Sequence, residues 1–196
     1  MRQPQRLYHL AEAENLPSIL KHGLMSTERL LDLAGIPASE HTARLRHHRR
    51  DHVRLSESVL IRDQRPMPPA ALARALDNGL EPGDWYALLN RHVFLWPDRD
   101  RMDRQLNACG GRPQVVLTFD AAALFASFGS DAYLSPINSG NARRKPARRG
   151  RDTLVPYHAW LQDGWPTGQR TRPPAEVLFR RQVSTQMPYL IDIAKV

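Results

Sequence analysis

Apolar residues fall along this chain in short bursts, some at helical spacing and some in unbroken β-favouring runs, with polar punctuation between them. Residues 6–10 alternate loosely and predict a short strand. Asn15 then stands as a helix cap with Pro17 in the first turn. Leu16, Ile19 and Leu20 share one face and Gly23 follows the last turn, so a two-turn helix is predicted over 15–22. A second helix is expected over 27–34, ended by Gly35-Ile36-Pro37. Residues 43–54, dense in Arg and His, read as a solvated helix whose charge gives no reason for burial.

Residues 59–61 are short and β-like, and residues 68–76 are helix-prone. Asn78-Gly79 signals a turn, and residues 82–90 suit a short helix carrying Trp85, Leu88 and Leu89. A strand over 92–96 is stopped by Pro97, and a polar helix over 99–108 is ended by Gly110-Gly111. The run Val115-Val116-Leu117-Thr118-Phe119 is almost wholly β-favouring and predicts a central strand. A helix over 121–128 and strands over 132–137, 176–179 and 187–193 complete the series. Residues 142–152 are too basic and broken to pack, and predict a mobile loop; the plain alternative is a solvated linker.

A strand and helices first, with mostly strands later, imply an α+β fold with a curved sheet. No Gly-rich phosphate loop follows any strand, so the dinucleotide-binding βαβ fold and the P-loop lack their motif. At 196 residues the chain fits one domain, 1–196. Its 41% hydrophobic and 24% charged residues are ordinary for a globular protein, while 16 prolines favour short elements.

Cys109 is the only cysteine, which excludes an intramolecular disulfide and a Cys-rich zinc site and makes a cytoplasmic location the simplest expectation. No apolar run is long enough to span a membrane, and no metal site is expected. The 28 Lys and Arg exceed the 20 Asp and Glu, nearly all the cations being arginine, which binds phosphate in a planar, bidentate manner. A nucleotide or nucleic-acid partner suits that balance. An arginine-rich genome composition accounts for it equally well.

With no nucleophile motif or metal cluster, His, Arg, Asn and Glu remain as the chemical groups, and these suit cleavage of a glycosidic bond. Release of nicotinamide from ribose passes through an oxocarbenium-like state that a carboxylate stabilises. Arginine holds a pyrophosphate by charge-assisted pairs, and histidine and asparagine fix ribose or amide groups.

Tyr8-His9-Leu10 followed by Asn15-Leu16-Pro17-Ser18-Ile19-Leu20-Lys21-His22-Gly23-Leu24 resembles the opening of the DarT-type ADP-ribosyltransferase toxins. Ala175-Glu176-Val177-Leu178 resembles their strand with the catalytic glutamate. Residues 62–67, 90–96 and 135–140 are closer still to an uncharacterised bacterial family related to those toxins. Ala11 stands where the toxins usually carry Thr after the strand histidine.

The resemblance implies an ADP-ribosyltransferase-like split, curved β core with short flanking helices, and NAD as co-substrate. It makes Glu176 and Arg62 the expected catalytic residues. His9, Asn15, Arg65, Phe94, Asn138 and Ser139 are the expected NAD-binding residues, with Asn15 also capping its helix. DNA or RNA is the implied substrate, and an antitoxin or immunity protein the implied partner.

Each residue has a structural alternative. His9 also fits a strand histidine with a satisfied hydrogen bond, and Glu176 an exposed edge-strand residue. Arg62 and Arg65 also fit surface ion pairs with Asp63 or other nearby acids. Phe94 and Trp96 fit the core, and Asn138-Ser139-Gly140 a simple turn. Two alternative functions stand beside the transferase: an NAD glycohydrolase, with water as acceptor, and a non-enzymatic nucleic-acid-binding module.

Overall fold

The computed structural model describes residues 3–77, 79–143, 145–169 and 172–196. Asn78 of the expected turn, Arg144 of the basic segment, and Met1 and Arg2 lie outside the described residues.

The chain opens with β1 (Arg6–Glu12), α1 (Leu16–His22), β2 (Leu24–Met25), α2 (Thr27–Leu33) and α3 (Ala38–Arg46). The hairpin β3 (Val53–Ser56) and β4 (Val59–Ile61) follows, then α4 (Pro69–Ala73), α5 (Pro82–Leu89), β5 (His92–Leu95) and α6 (Arg99–Asn107). The second half carries β6 (Gln114–Asp120), α7 (Ala121–Phe128), β7 (Ala132–Ser135), β8 (Val155–Pro156) and α8 (Tyr157–Asp163). It ends with β9 (Glu176–Arg180), β10 (Gln182–Val183) and β11 (Leu190–Lys195).

Two antiparallel sheets form the centre. One has the order β1-β6-β11, the other β5-β9-β7-β8. The predicted central strand is central: β6 pairs with β1 on one side and β11 on the other, and six of its seven residues are buried. That double burial is why its sequence carries no polar alternation. The sheets meet where Tyr8 and Trp96 exchange backbone hydrogen bonds, Tyr8 N–H to Trp96 O at 2.9 Å and Trp96 N–H to Tyr8 O at 2.7 Å. Leu7, Leu117 and Phe119 from one sheet pack with Val93, Leu95, Val177 and Phe179 from the other in a single core. No helix among the described residues is long and apolar enough to cross a membrane.

Several local expectations need correction. Asn15 does not cap α1: it is itself helical in φ and ψ, and its amide instead bonds both backbone groups of Leu60, each at 2.8 Å. The expected helix over 43–54 ends at Arg46, and the chain then extends into β3. Arg49 is drawn out of helical bonding by a distant segment, its N–H donating to Gln64 Oε1 at 3.1 Å and its C=O accepting from Gln64 N–H at 2.7 Å. The segment 142–152 is not free of the core either. Ala142 and Arg149 are buried, and Arg149 is stitched to residues 75 and 77 by backbone bonds. Helix α8 and strands β2, β8 and β10 had no sequence expectation.

Gly23 is required where it stands. Its φ is 84°, and a Cβ there would lie 2.5 Å from the Val183 carbonyl oxygen, so only glycine lets α1 end against β10.

Candidate active site

A cavity of about 370 Å³ opens beside the junction of the two sheets. That volume is within the range of small-molecule sites. Strand β1 contributes His9 and Glu12, β4 and the residues after it Leu60 and Arg62, β5 Phe94, β9 Glu176, and the turn after β7 Asn138, Gly140 and Asn141. Arg49, Asn90 and Trp96 also line it.

His9 Nδ1 lies 2.8 Å from the Phe94 carbonyl oxygen, across from β1 to β5. A carbonyl only accepts, so Nδ1 carries the proton and Nε2 of the neutral ring is left as an acceptor. Burial pushes the ring down to about 4; the Phe94 bond opposes this and the charge of Arg62 adds to it. His9 is therefore neutral at physiological pH and offers a lone pair to a ligand hydroxyl or amide.

Glu176 begins β9 opposite Ser135 and is 3% exposed. Ser139 clamps one of its oxygens: the Ser139 N–H donates to Oε2 at 3.0 Å and the hydroxyl donates to the same atom at 2.6 Å. Burial pushes the carboxyl up to about 7, against the Ser139 bonds and the charges of Arg149 and Arg101. A carboxyl poised near neutrality can change protonation during a reaction at little cost.

Arginines surround this site in three different states. Arg62 is paired with an acid: Nε donates to Glu12 Oε1 at 3.2 Å, Nη2 lies 3.0 Å from the same oxygen, and Nη2 also donates to Gln114 Oε1. Arg49 is engaged through the same two nitrogens, but by neutral acceptors. Its Nη2 donates to Asn90 Oδ1 at 2.9 Å and its Nε to Arg62 O at 3.3 Å, while Nη1 is buried without a partner among the described residues. Burial pulls Arg49 down to about 10, against the charge of Asp63, so it stays a cation at neutral pH. Arg149 faces no carboxylate directly among the described residues; its guanidinium donates to the carbonyls of Ser139, Asn141 and Ala147 at 2.9, 2.9 and 3.1 Å.

Of the expected site residues, His9, Asn15, Arg62, Phe94, Asn138 and Glu176 come together around the one cavity. Ser139 sits behind Glu176, fully buried. Arg65 is elsewhere: it is exposed, and its guanidinium bonds Asp51 at 2.5 Å and Arg50 O at 2.8 Å. Arg49, Arg149 and Glu12 were missed. Nothing local in a run of arginines marks the one that turns inward. Among the described residues, no three His, Cys, Asp or Glu side chains converge as metal ligands would.

Fold and site together define a mixed α and β protein with antiparallel sheets and, at their junction, a largely apolar cavity into which a few polar groups converge. The chain belongs to a family of unknown function, DUF7002, whose model matches residues 5–190. Among solved structures, that of Thermus sp. 2.9 DarT in complex with ADP-ribosylated ssDNA is similar at 14% identity over 92% of this chain and 78% of that chain, with a TM-score of 0.38. A search of curated proteins returns no significant match.

Proposed function

We propose that this protein is an NAD-dependent mono-ADP-ribosyltransferase acting on a nucleic acid or another macromolecule. The observation that carries the reading is convergence. His9 and Glu176, 167 positions apart in sequence, line one cavity together with Arg49, whose buried Nη1 has no partner among the described residues.

In this reading, His9 Nε2 accepts from the ribose or amide side of NAD, and Phe94, Asn138 and Asn15 border the same end. The Arg49 guanidinium takes a phosphate oxygen through its unpartnered Nη1, while Arg62 has Nε and Nη2 engaged by Glu12 and Gln114. The nicotinamide–ribose bond breaks with its electron pair leaving on nicotinamide, and the acceptor's nucleophile bonds the anomeric carbon as it loses a proton. Glu176, as carboxylate, stabilises the positive charge that develops on the ribose.

The test is incubation of purified protein with adenine-labelled NAD and separate pools of DNA, RNA and cell protein, beside Glu176→Gln. Label should enter one pool and free nicotinamide should appear, both falling by roughly 100-fold or more in the variant. Nicotinamide and free ADP-ribose without a labelled pool would make water the acceptor. If wild type gives neither label nor nicotinamide in any pool, the reading is wrong.

A further inference from the structure

The carboxylate of Glu176 depends on a turn, and the turn depends on a buried cation. Ser139 supplies both hydrogen bonds to Glu176 Oε2, and the following residues Gly140 and Asn141 line the cavity. The turn runs through Ser139, Gly140 and Asn141. Its carbonyls at 139 and 141 point to the Arg149 guanidinium, which is 1% exposed and lies 5.9 Å over the Trp85 ring. The Trp85 indole N–H also donates to Ser139 O, at 3.2 Å. The backbone of Arg149 is in turn fixed, its N–H donating to Ala75 O at 2.9 Å and its C=O accepting from Asp77 N–H at 2.8 Å.

Such burial is unusual for arginine unless its donors are used. Here the fork bonds carbonyls and leaves its charge uncompensated by any direct carboxylate partner among the described residues, so the field reaches Glu176. Arg101, at the start of α6, is the other cation acting on that carboxyl.

We propose that Arg149 is the positioning residue of the site: it holds the Ser139–Asn141 turn so that Ser139 clamps one oxygen of Glu176 and the other is presented to the ligand. It touches neither ligand nor reacting atom. A lysine at 149 keeps the charge but cannot span three carbonyls in one plane as the guanidinium does. A methionine removes both charge and bonds.

The inference rests on the transferase reading only for its activity measurement, so the first measurement uses no NAD. Protein carrying glutamate labelled with ¹³C at the side-chain carboxyl is titrated by NMR, with Glu176→Gln assigning the resonance. In Arg149→Met the Glu176 titration should move up by roughly one unit or more, and in Arg149→Lys by less, Arg101 being unchanged in both. With NAD, kcat should fall by about tenfold or more in Arg149→Met while KM stays within about twofold.

An unmoved Glu176 titration in a folded variant overturns the proposal, even if turnover falls, because loss of the hold on the turn cannot spare the carboxyl that the turn clamps. Should Arg149→Met fail to fold, Arg149→Lys decides by the same criterion. Absence of turnover in wild type would refute the NAD reading and leave the titration to judge Arg149.

Discussion

Two buried carboxyls line the same cavity and behave in opposite ways. Glu12 is 5% exposed and Glu176 is 3% exposed, so burial alone pushes both upward. For Glu12 that push is outweighed by the charge of Arg62 and by hydrogen bonds from Arg112 and Gln114, and the net direction is downward. For Glu176 it is not outweighed, and the carboxyl is poised at about 7. The difference lies in where the neighbouring guanidiniums point. Arg62 and Arg112 reach Glu12 itself, at 3.0 and 3.3 Å, whereas Arg149 spends its donors on carbonyls. One carboxyl is fixed between two arginines; the other is held by one hydroxyl and one backbone N–H, both from Ser139.

The sharpest way to break this contrast is Glu12→Ala. Removing the carboxylate leaves Arg62 facing Gln114 with its charge uncompensated; breaking a buried pair costs roughly 4 kcal/mol, and the partial exposure of Arg62 makes that the upper bound here. Urea unfolding at pH 7 should show that loss. Because Glu12 is held below its ordinary range, its contribution is full above the unfolded-state value and disappears as pH falls through the folded-state value, so the gap between wild type and variant should narrow in acid. A gap that is small or widens in acid would place Glu12 with Glu176 instead of opposite it.

Glu176→Gln should do the reverse. An acid raised from 4.5 to about 7 on folding keeps its proton in the native state over that window while the unfolded chain has lost it. Stability therefore falls as pH rises from 4.5 to about 7, by on the order of 3 kcal/mol. Glutamine can still accept from Ser139 and has no charge to bury, so the variant should be the more stable protein at pH 8. His9 has the opposite slope. Its folded value near 4 against an ordinary 6.5 means that stability rises with pH between those two values. Wild type should thus be nearly flat between pH 5 and 6.5 (about 4.5 to 6.5 being the overlap), and each single variant should expose the other residue's slope. A steep wild-type profile there would show that one of the two is misassigned.

That contrast was only half legible in the amino-acid order. The central strand at 115–119 announced itself because double burial demands an unbroken apolar run, and α1 because Pro17 and Gly23 bracket it. His9 and Glu176 were singled out through the segments around them, and both line the cavity. Asn15 was misread because the amide that suits a helix cap equally suits the two backbone groups of Leu60, which stands forty-five positions away. Arg149 and Arg49 sit in arginine-rich stretches whose composition says only "solvated"; what selects them for burial is the distant Ala75, Asn90 and Gln64, and no local pattern records those partners.

The arginines give the next, smaller test. If Arg62 is held by Glu12 and Arg49 keeps a buried Nη1 in reserve, Arg49→Lys should weaken NAD binding by roughly tenfold, read by calorimetry, with folding retained. Equal binding by this variant would return the phosphate to Arg62 or to another cation.

The smallest effect is expected at Arg65. It shares a short arginine segment with Arg62, only three positions on, yet its guanidinium faces outward to Asp51 and the Arg50 carbonyl, with 60% of the side chain exposed. Exposed pairs of this kind hold two mobile side chains in water-like dielectric, where screening and lost rotamer freedom consume nearly all of the attraction. Arg65→Ala should therefore leave urea unfolding nearly unchanged and NAD affinity within about twofold. A tenfold loss of affinity would mean that the segment after β4 turns inward when ligand binds, bringing Arg65 to a cavity from which it is now absent, and Arg62 would then have to release Glu12 in the same movement.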